Sequence, residues 1–346
     1  MTRVLVVTTS YPTAEAPVAG VFVRGHAVAA RAAGAEPQVL HLERTPGLRG
    51  LRVERETDEA GIAVTRVRFP FSPRAVTYPA LLAAAGRGFR AVERAGFQPE
   101  VLHAHFLTAA YPAVRHARRA GLPVVVSEHW SAFLPDDPMQ LNPVLLRAAR
   151  WAFARAGLVL PVSEALAAGI RAHGIECLMR VVPNVADTSL FGPPAPARPP
   201  HDPPRLVNVS LFYEAKGVDL LIEAAALLRD ERRPFALDLV GDGEPRAAYE
   251  ARVRELGLGD RVTFHGILPR PAVAALLRDA DLYVLPSRFD NNPVALVEAL
   301  VSGLPAVGTR VGGVPELVAP ELLAEPTPSS IAAAVGRALD GLAGVD

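Results

Sequence analysis

Two acidic side chains, Asp290 and Glu298, stand eight positions apart in the segment SRFDNNPVALVEALVSGLP (residues 287–305). A charge among so many apolar residues needs water or a polar partner, because burying an unpaired charge is costly. In a helix, Glu298 lies on the same face as Val294, just over one turn from the helix N-terminus. That end attracts phosphate through its free N–H groups, so Glu298 could hold the hydroxyls of an attached ribose. The alternatives are a solvated edge position for Glu298 and a capping role for Asp290.

The same segment carries residue types that begin and end helices. Asn291 or Asn292 suits the N-cap, and Pro293 suits the first helical position. Gly303 suits the exit. If a phosphate binds at this helix start, the residues expected to contact it follow one another in the sequence: Asn292, Pro293, Val294 and Ala295.

Lys216 is the only lysine among 36 basic residues, and all the others are arginine. In VNVSLFYEAKGVDLLIEA it follows a predicted strand and precedes a predicted helix that opens with Gly217. A flexible ammonium at such a turn can reach a diphosphate as a point charge, whereas a guanidinium would bind differently. The sequence therefore favours Lys216 as a cation for a diphosphate, and a solvated lysine without a role is the alternative.

The segment LVGDGEP (residues 239–245) ends another predicted strand in a Gly-Asp-Gly turn. Gly241 and Gly243 would allow a ligand to approach the backbone closely. The turn is not the G-x-G-x-x-G of a dinucleotide fold, and its absence after the first strand counts against a dehydrogenase. No aspartate pair follows an apolar strand in the D-x-D manner, since Asp136 and Asp137 lie between prolines as an ordinary loop. We therefore expect no metal, and we expect side chains to supply the positive charge that a phosphate needs.

In the first half of the chain, SEHWSAF places Glu128 and His129 at the end of a predicted strand. His129 could accept hydrogen bonds from sugar hydroxyls or act on a proton, and a structural role is the alternative. His103 and His105 alternate on LHAHF, so they should share one face of a strand, with core roles favoured. Gly20 ends the long loop after the first strand, where a backbone could approach phosphate.

Short apolar runs alternate with helical segments through both halves of the chain, which is typical of parallel strands buried on both faces. Residues 45–61 are irregular and predict an antiparallel excursion or a mobile loop. Residues 192–205 are half proline and predict a semi-rigid linker. The pattern predicts two doubly wound α/β domains, 1–191 and 206–346, with ligands in a cleft beyond the carboxyl ends of the strands.

Composition narrows the class of protein. The 346 residues carry equal numbers of acids and bases, so nothing indicates a broad nucleic-acid-binding face. A local basic patch for anionic lipid stays open. The N-terminal apolar run is too short for a signal peptide, and no run could span a bilayer. Cys177 is the single cysteine, which excludes an internal disulfide and a cysteine zinc site. A cytoplasmic protein is expected, with peripheral contact at the inner face of the membrane open.

These motifs, taken in order, resemble the retaining GT-B glycosyltransferases of family 4. The resemblance covers nearly the whole chain and includes HAHF, SEH, VSEAL, AKGVDLL, LVGDGEP, RVTFHG and VGGVPELV. Its most specific part is the E-x7-E pattern of residues 290–298. The resemblance implies two Rossmann-like domains facing across a cleft. It also implies sugar transfer from a nucleotide-diphosphate donor to a saccharide, lipid-linked or small-molecule acceptor, with the anomeric configuration kept and no metal or other cofactor.

The resemblance also implies roles for individual residues. Lys216 corresponds to the diphosphate-binding lysine of the family, and Glu298 corresponds to the glutamate that holds the ribose. Asp290 takes the place of the first acid, near the donor sugar. His129 is implied at the donor sugar and Gly20 in the N-terminal loop. Ile267 and Leu268 are implied near the base.

The sequence departs from the family pattern at two residues that are expected near the donor. Asp290 is shorter by one methylene than the usual glutamate. Leu211 stands where an arginine usually accompanies the lysine, and another arginine, such as Arg310, would have to replace it. These departures leave open a non-catalytic nucleotide-sugar-binding protein on the same fold. A second alternative keeps the fold and changes the chemistry to that of a sugar-nucleotide epimerase.

Overall fold

The structure is a computed structural model that describes residues 1–70, 74–135, 137, 140–194 and 199–343, without the side chains of 74–77 and 343. The chain divides into two compact units, Met1–Val185 and Ala186–Asp346. Three places that the sequence-based predictions concern lie outside the described residues: Asp136, residues 195–198 of the predicted linker, and residues 344–346 at the end of the predicted second domain. The domain boundaries expected from the sequence stay predictions.

Seven strands form the sheet in the described part of the first unit. They are β1 (Arg3–Thr8), β2 (Glu36–Thr45), β3 (Arg52–Thr57), β4 (Ala63–Pro70), β5 (Val101–His105), β6 (Val124–Glu128) and β7 (Leu158–Pro161). Their order is β3-β4-β2-β1-β5-β6-β7, and neighbouring strands are parallel except that β3 pairs antiparallel with β4. The antiparallel excursion predicted within residues 45–61 is confirmed.

Helices cover both faces of this sheet. They are α1 (Val21–Ala32), α2 (Arg74–Arg94), α3 (Phe106–Ala120), α4 (Pro143–Phe153) and α5 (Glu164–Ala172). One core joins the sheet to α2, α3 and α4, and a smaller core joins it to α1. Two helix starts have side-chain caps: Asn142 accepts hydrogen bonds from the N–H groups of Val144 and Leu145, and Ser163 accepts one from Leu166.

The second unit repeats the strand and helix alternation. Its strands are β8 (Arg205–Val209), β9 (Ala236–Val240), β10 (Val262–Gly266), β11 (Leu282–Leu285), β12 (Ala306–Thr309) and β13 (Leu323–Ala324). Its helices are α6 (Val218–Asp230), α7 (Arg246–Glu255), α8 (Arg270–Asp279), α9 (Val294–Val301) and α10 (Pro328–Ala343). The strands are all parallel, in the order β10-β9-β8-β11-β12-β13. Phe191, before the proline-rich stretch, is buried in a core of this unit.

Each sheet has one point where the strand order reverses. In the first unit β1 lies between β2 and β5, and in the second unit β8 lies between β9 and β11. In each unit the loops that follow two adjacent strands, β1 and β5 or β8 and β11, lead to opposite faces of the sheet. This opens a crevice beyond the carboxyl ends of the strands. The residues that follow β1, β5, β8 and β11 are therefore the ones that each fold positions for a ligand.

None of the helices in the described ranges is long and apolar enough to cross a bilayer.

Candidate active site

Lys216 and Asp290 form an ion pair beyond the carboxyl ends of β8 and β11. A 3₁₀ turn over Glu214–Lys216 follows β8, and the lysine Nζ lies 2.6 Å from Asp290 Oδ2. The Ser287 hydroxyl donates a weaker hydrogen bond to the same carboxylate oxygen, at 3.3 Å. Both charged side chains are largely buried, with 19% and 10% exposed. The structure therefore brings together two residues that the sequence indicated separately.

The charge on Lys216 is stabilised despite its burial. Burial alone lowers the pKa of Lys216, but the negative charge of Asp290 and the Tyr213 hydroxyl outweigh it, so the pKa is raised. The lysine Nζ also lies 5.8 Å from the centre of the Tyr213 ring. Lys216 is thus a charged ammonium at neutral pH that is paired and largely buried, so it is not a solvated lysine. Its role as a cation for a diphosphate stays a prediction.

Helix α9 starts beside this ion pair, but not with the predicted caps. Pro293, in an extended conformation, is the N-cap, and α9 begins at Val294 with no side-chain hydrogen bond to its end. Asn291 and Asn292 are buried in the preceding loop, so the prediction that one of them caps the helix is wrong. The physical reason is the extended ψ of Pro293, which separates both asparagines from the first turn. The N-cap residue Pro293 has no side-chain acceptor for the first N–H groups of α9, which have no intrahelical partners. Gly303 follows the helix end with φ of 77°, as predicted.

Glu298 lies one turn into α9 and pairs with Arg270, the first residue of α8. The distance between Glu298 Oε1 and Arg270 Nη2 is 2.8 Å, and the carboxylate side chain is only 5% exposed. Burial raises the pKa of Glu298, and the Arg270 guanidinium opposes that rise. The guanidinium in turn stacks over the Phe191 ring at 5.0 Å. The solvated-edge alternative for Glu298 is therefore wrong, and Arg270 is a partner that no sequence motif indicated.

At Gly241 and Gly243 the neighbouring backbone leaves no room for a side chain. A Cβ on Gly241 would lie 1.7 Å from the Ser210 carbonyl oxygen, and one on Gly243 would lie 2.0 Å from that of Phe212. The Phe212 N–H also donates to the Asp242 carbonyl at 2.8 Å. The loop after β9 therefore braces the loop after β8, and these contacts account for both glycines without a ligand. Their predicted contact with the donor stays a prediction.

The loops at the carboxyl end of the second sheet expose apolar side chains. Leu211 and Tyr213, after β8, are 41% and 46% exposed, and Ile267, after β10, is 49% exposed. Leu268 is partly buried against the core. Arg310, a candidate for the missing second cation, pairs with Glu325 at 3.3 Å on the surface.

Four histidines cluster at the switch point of the first unit. Their rings come from α1, β5 and the residue after β6: His26, His103, His105 and His129. The rings of His103 and His105 lie 4.4 Å apart, which confirms that they share a face of β5. His129 Nε2 lies 3.0 Å from His105 Nδ1, and Asn184 hydrogen bonds with both His26 and His129. Burial lowers the pKa of all four imidazoles, so they are neutral.

Glu128 and Gly20 shape the surroundings of His129. The Glu128 carboxylate is buried and accepts the N–H groups of His129 and Trp130, both at 2.9 Å. Burial raises the pKa of Glu128 to about 7, and its backbone hydrogen bonds oppose the rise. Gly20, with φ of 63°, precedes α1, and a Cβ there would meet the Ser10 carbonyl at 2.4 Å. Phe22, in the next turn, lies 4.7 Å from the His129 ring.

No group of three or more His, Cys, Asp or Glu side chains is arranged to hold a metal ion in the described ranges.

The fold and this arrangement define a protein of two doubly wound α/β units, with a buried ammonium and a helix N-terminus at the switch point of the second. Two family models match it, "Glycosyl transferase 4-like domain" over residues 4–185 and "Glycosyl transferases group 1" over residues 194–341. A 2-deoxystreptamine glucosyltransferase of Streptomyces kanamyceticus is 30% identical over 337 residues, which cover 89% of this chain and 86% of the relative.

Solved structures show the same fold. Sucrose-phosphate synthase from Thermosynechococcus elongatus superposes with a TM-score of 0.77 at 22% identity, over 99% of this chain and 91% of that one. Anabaena HepE, solved with UDP-glucose, gives a TM-score of 0.71 at 20% identity, over 99% and 90%. The chain belongs to the group 1 glycosyltransferases and has the GT-B fold. It is a glycosyltransferase.

Proposed function

We propose that this enzyme transfers a sugar from a nucleotide-diphosphate donor to an acceptor hydroxyl with retention of configuration and without a metal. The observation that carries the proposal is the Lys216–Asp290 ion pair beside the uncapped start of α9. A buried ammonium next to free helix N–H groups is an electrostatic site for a diphosphate. It supplies the positive charge that a divalent ion supplies to a diphosphate in other sites.

The ion pair gives Lys216 two tasks. Before the donor binds, Asp290 compensates its charge at 2.6 Å. When a diphosphate arrives, the ammonium can share its three N–H donors between the carboxylate and the phosphate oxygens. As the bond between sugar and diphosphate breaks, negative charge grows on the leaving phosphate, and a preorganised cation stabilises that charge most strongly. Asp290, held by Lys216, orients the sugar.

Retention requires attack on the face from which the diphosphate leaves, or a covalent intermediate. Asp290 is held by Lys216 and Ser287, so it does not have the freedom of a carboxylate nucleophile. We therefore favour departure and attack on the same face, as the family resemblance implies.

The rest of the donor is assigned to the neighbouring loops of the second unit. Glu298, fixed by Arg270, is proposed to accept hydrogen bonds from the ribose hydroxyls. The exposed apolar side chains of Leu211, Tyr213 and Ile267 offer a surface for the base. In the first unit, His129 and Gly20 are proposed to contact the donor sugar and phosphate.

UDP-glucose is the first donor to test. It is bound in the HepE structure, and the relative from Streptomyces kanamyceticus is named as a glucosyltransferase. That relative's name also makes an aminocyclitol the first soluble acceptor to test, with saccharides next. A lipid-linked acceptor and peripheral membrane contact are further options within the proposal.

The experiment is a thermal-shift screen of UDP-, GDP- and ADP-sugars, followed by product analysis with the donor that stabilises the protein. We expect one nucleotide to stabilise selectively, and transfer to give the retained anomer with a chelator present. Lys216→Ala should abolish the stabilisation and lower the transfer rate by about 10²–10³. A Lys216→Ala enzyme of near wild-type activity, an inverted product, or loss of activity with the chelator would refute the corresponding part of the proposal.

A further inference from the structure

Four arginines line a recess on the first unit that lies away from the histidine cluster. The recess has a volume of about 350 Å³ and lies between β3 and α2. Its charged lining consists of Arg55, Arg87, Arg90 and Arg94, and its apolar lining includes Val53. In the sheet, β3 is the edge strand, separated from β1 by β4 and β2, so it lies roughly 14 Å from β1 at normal strand spacing.

The spacing of these residues explains why their charges converge. Arg87, Arg90 and Arg94 are separated by three and four residues, so they follow one face of α2. On β3, Arg55 shares a face with Val53 because side chains alternate along a strand. Two elements thus turn like charges towards the same space.

The acidic residues nearby are engaged elsewhere. Glu54 and Glu56 alternate with Arg55 and pair on the other face of β3, with Arg68 at 3.7 Å and with Arg66. On α2, Glu93 lies 3.8 Å from His116.

In the part of the chain that the structure describes, the side chains of the four arginines of the recess form no hydrogen bond or ion pair. All four are exposed. Their charges repel one another without an acid between them, so an anion that enters the recess meets guanidinium groups whose N–H donors are unused.

We propose that this recess binds an anionic phosphate group, presented by a soluble polyphosphorylated ligand or by a lipid head group. Guanidinium groups bind phosphate through paired N–H donors, and several of them hold one anion from more than one side. Within the described ranges, no large exposed apolar side chain belongs to β3 or α2. The contact that we propose is therefore one with charge. This proposal does not depend on the donor site.

The test uses the full chain with Lys216→Ala in every sample, which removes the diphosphate site proposed above. The recess variant carries Arg87→Gln and Arg90→Gln. The matched control carries Arg118→Gln and Arg119→Gln, two exposed arginines at the end of α3 that lose the same charge. One arm measures tripolyphosphate binding by calorimetry. The other measures sedimentation with phosphatidylcholine vesicles that contain or lack phosphatidylglycerol.

We expect binding in at least one arm. The substitutions of the recess variant should weaken it roughly tenfold, because charge-assisted hydrogen bonds are lost. The substitutions of the control should weaken it less than twofold. Tripolyphosphate binding alone identifies a soluble ligand, and phosphatidylglycerol-dependent sedimentation alone identifies a head group. Absence of binding in both arms, or equal weakening in recess and control variants of unchanged circular dichroism, overturns the proposal.

Discussion

The ion pair between Lys216 and Asp290 restricts which cation can stand at residue 216. The ammonium is a compact charge at 2.6 Å from the carboxylate, in a place where only 19% of the side chain is exposed. A guanidinium is broader and planar, so it would fill space that a diphosphate needs and pair with Asp290 through two N–H groups. The composition makes this test informative, because arginine replaces lysine everywhere else in the chain.

We expect Lys216→Arg to lower the transfer rate at least roughly tenfold, and Lys216→Ala to lower it by about 10²–10³, the range for loss of one preorganised donor. Steady-state rates with the identified donor are the measurement. The control is the reverse exchange, Arg252→Lys, at an exposed arginine that pairs with Glu223 at 2.6 Å. Full activity in Lys216→Arg would show that the position needs only a positive charge.

His41 is a buried imidazole on β2 that must stay neutral. An N–H group of Arg66 lies 2.5 Å from His41 Nδ1 and donates to it, because arginine has no acceptor. Burial, with the Arg66 charge as the second cause, lowers the pKa of His41 to about 3. In the unfolded chain this histidine titrates near its ordinary value of about 6.5.

The consequence is a loss of stability in acid. Between about pH 6.5 and pH 3 the unfolded chain binds a proton at His41, and the folded protein does not. The free energy of unfolding therefore falls as the pH falls, by up to roughly 1.4 kcal/mol per pH unit. His41→Gln keeps an acceptor for Arg66 but does not titrate. Urea unfolding at pH 7 and pH 5 should show a smaller loss in the variant. Equal losses in both proteins would mean that His41 is protonated in the folded state.

At the scale of elements, local pattern was enough to predict the alternation of strands and helices, the antiparallel excursion that contains β3 and the shared face of His103 and His105. It was not enough for strand order, because parallel neighbours are joined by long crossovers. Lys216 and Asp290 are 74 residues apart, and they meet only because β8 and β11 are adjacent. The same limit hid the Arg270–Glu298 pair and the place of His129 beside His105.

Helix starts were the other limit. In the run Asn-Asn-Pro, sequence preference favoured an asparagine as the cap of α9 and the proline as its first helical residue. The choice was decided by the backbone angles of Pro293, which depend on how the whole loop is folded against its neighbours.

Gly217 joins the 3₁₀ turn of Lys216 to α6 and tests how strictly the backbone fixes that turn. Its φ is 64°, and a Cβ there would lie 2.1 Å from the Pro286 carbonyl oxygen. Gly257 has the same φ, but only the end of the Arg229 side chain lies near its Cβ position, at 3.7 Å. The two glycines therefore differ in steric contact and share the cost of a left-handed conformation.

We expect Gly257→Ala to lower the free energy of unfolding by about 1 kcal/mol, the cost of a positive φ. Gly217→Ala should lower it by roughly 3 kcal/mol, because an overpacking cost adds to the same backbone cost. Denaturant unfolding of both variants gives the comparison. If the two alanines cost the same, the contact with Pro286 does not constrain the turn.

For the whole molecule, the important feature is that each unit has cores of its own. Buried clusters around the first sheet contain residues of Met1–Val185, and those around the second sheet contain residues of Ala186–Asp346. A ligand that touches one unit alone therefore stabilises that unit directly, since binding lowers the free energy only of states that contain the site. Apart from Gly20, the residues proposed to contact the nucleoside diphosphate, without its sugar, lie in the second unit.

Hydrogen exchange with and without the nucleoside diphosphate of the preferred donor tests this division. We expect exchange to slow at the turn before α6 and at the start of α9, where the first N–H groups have no intrahelical partners to protect them. The first-unit helices α3 and α4 serve as the internal control, and their exchange should stay the same. With Lys216→Ala the protection at both second-unit segments should disappear together, because one phosphate group is bound by both. Protection at α9 that survives loss of the lysine would instead show that the helix start binds the nucleotide without its neighbouring cation.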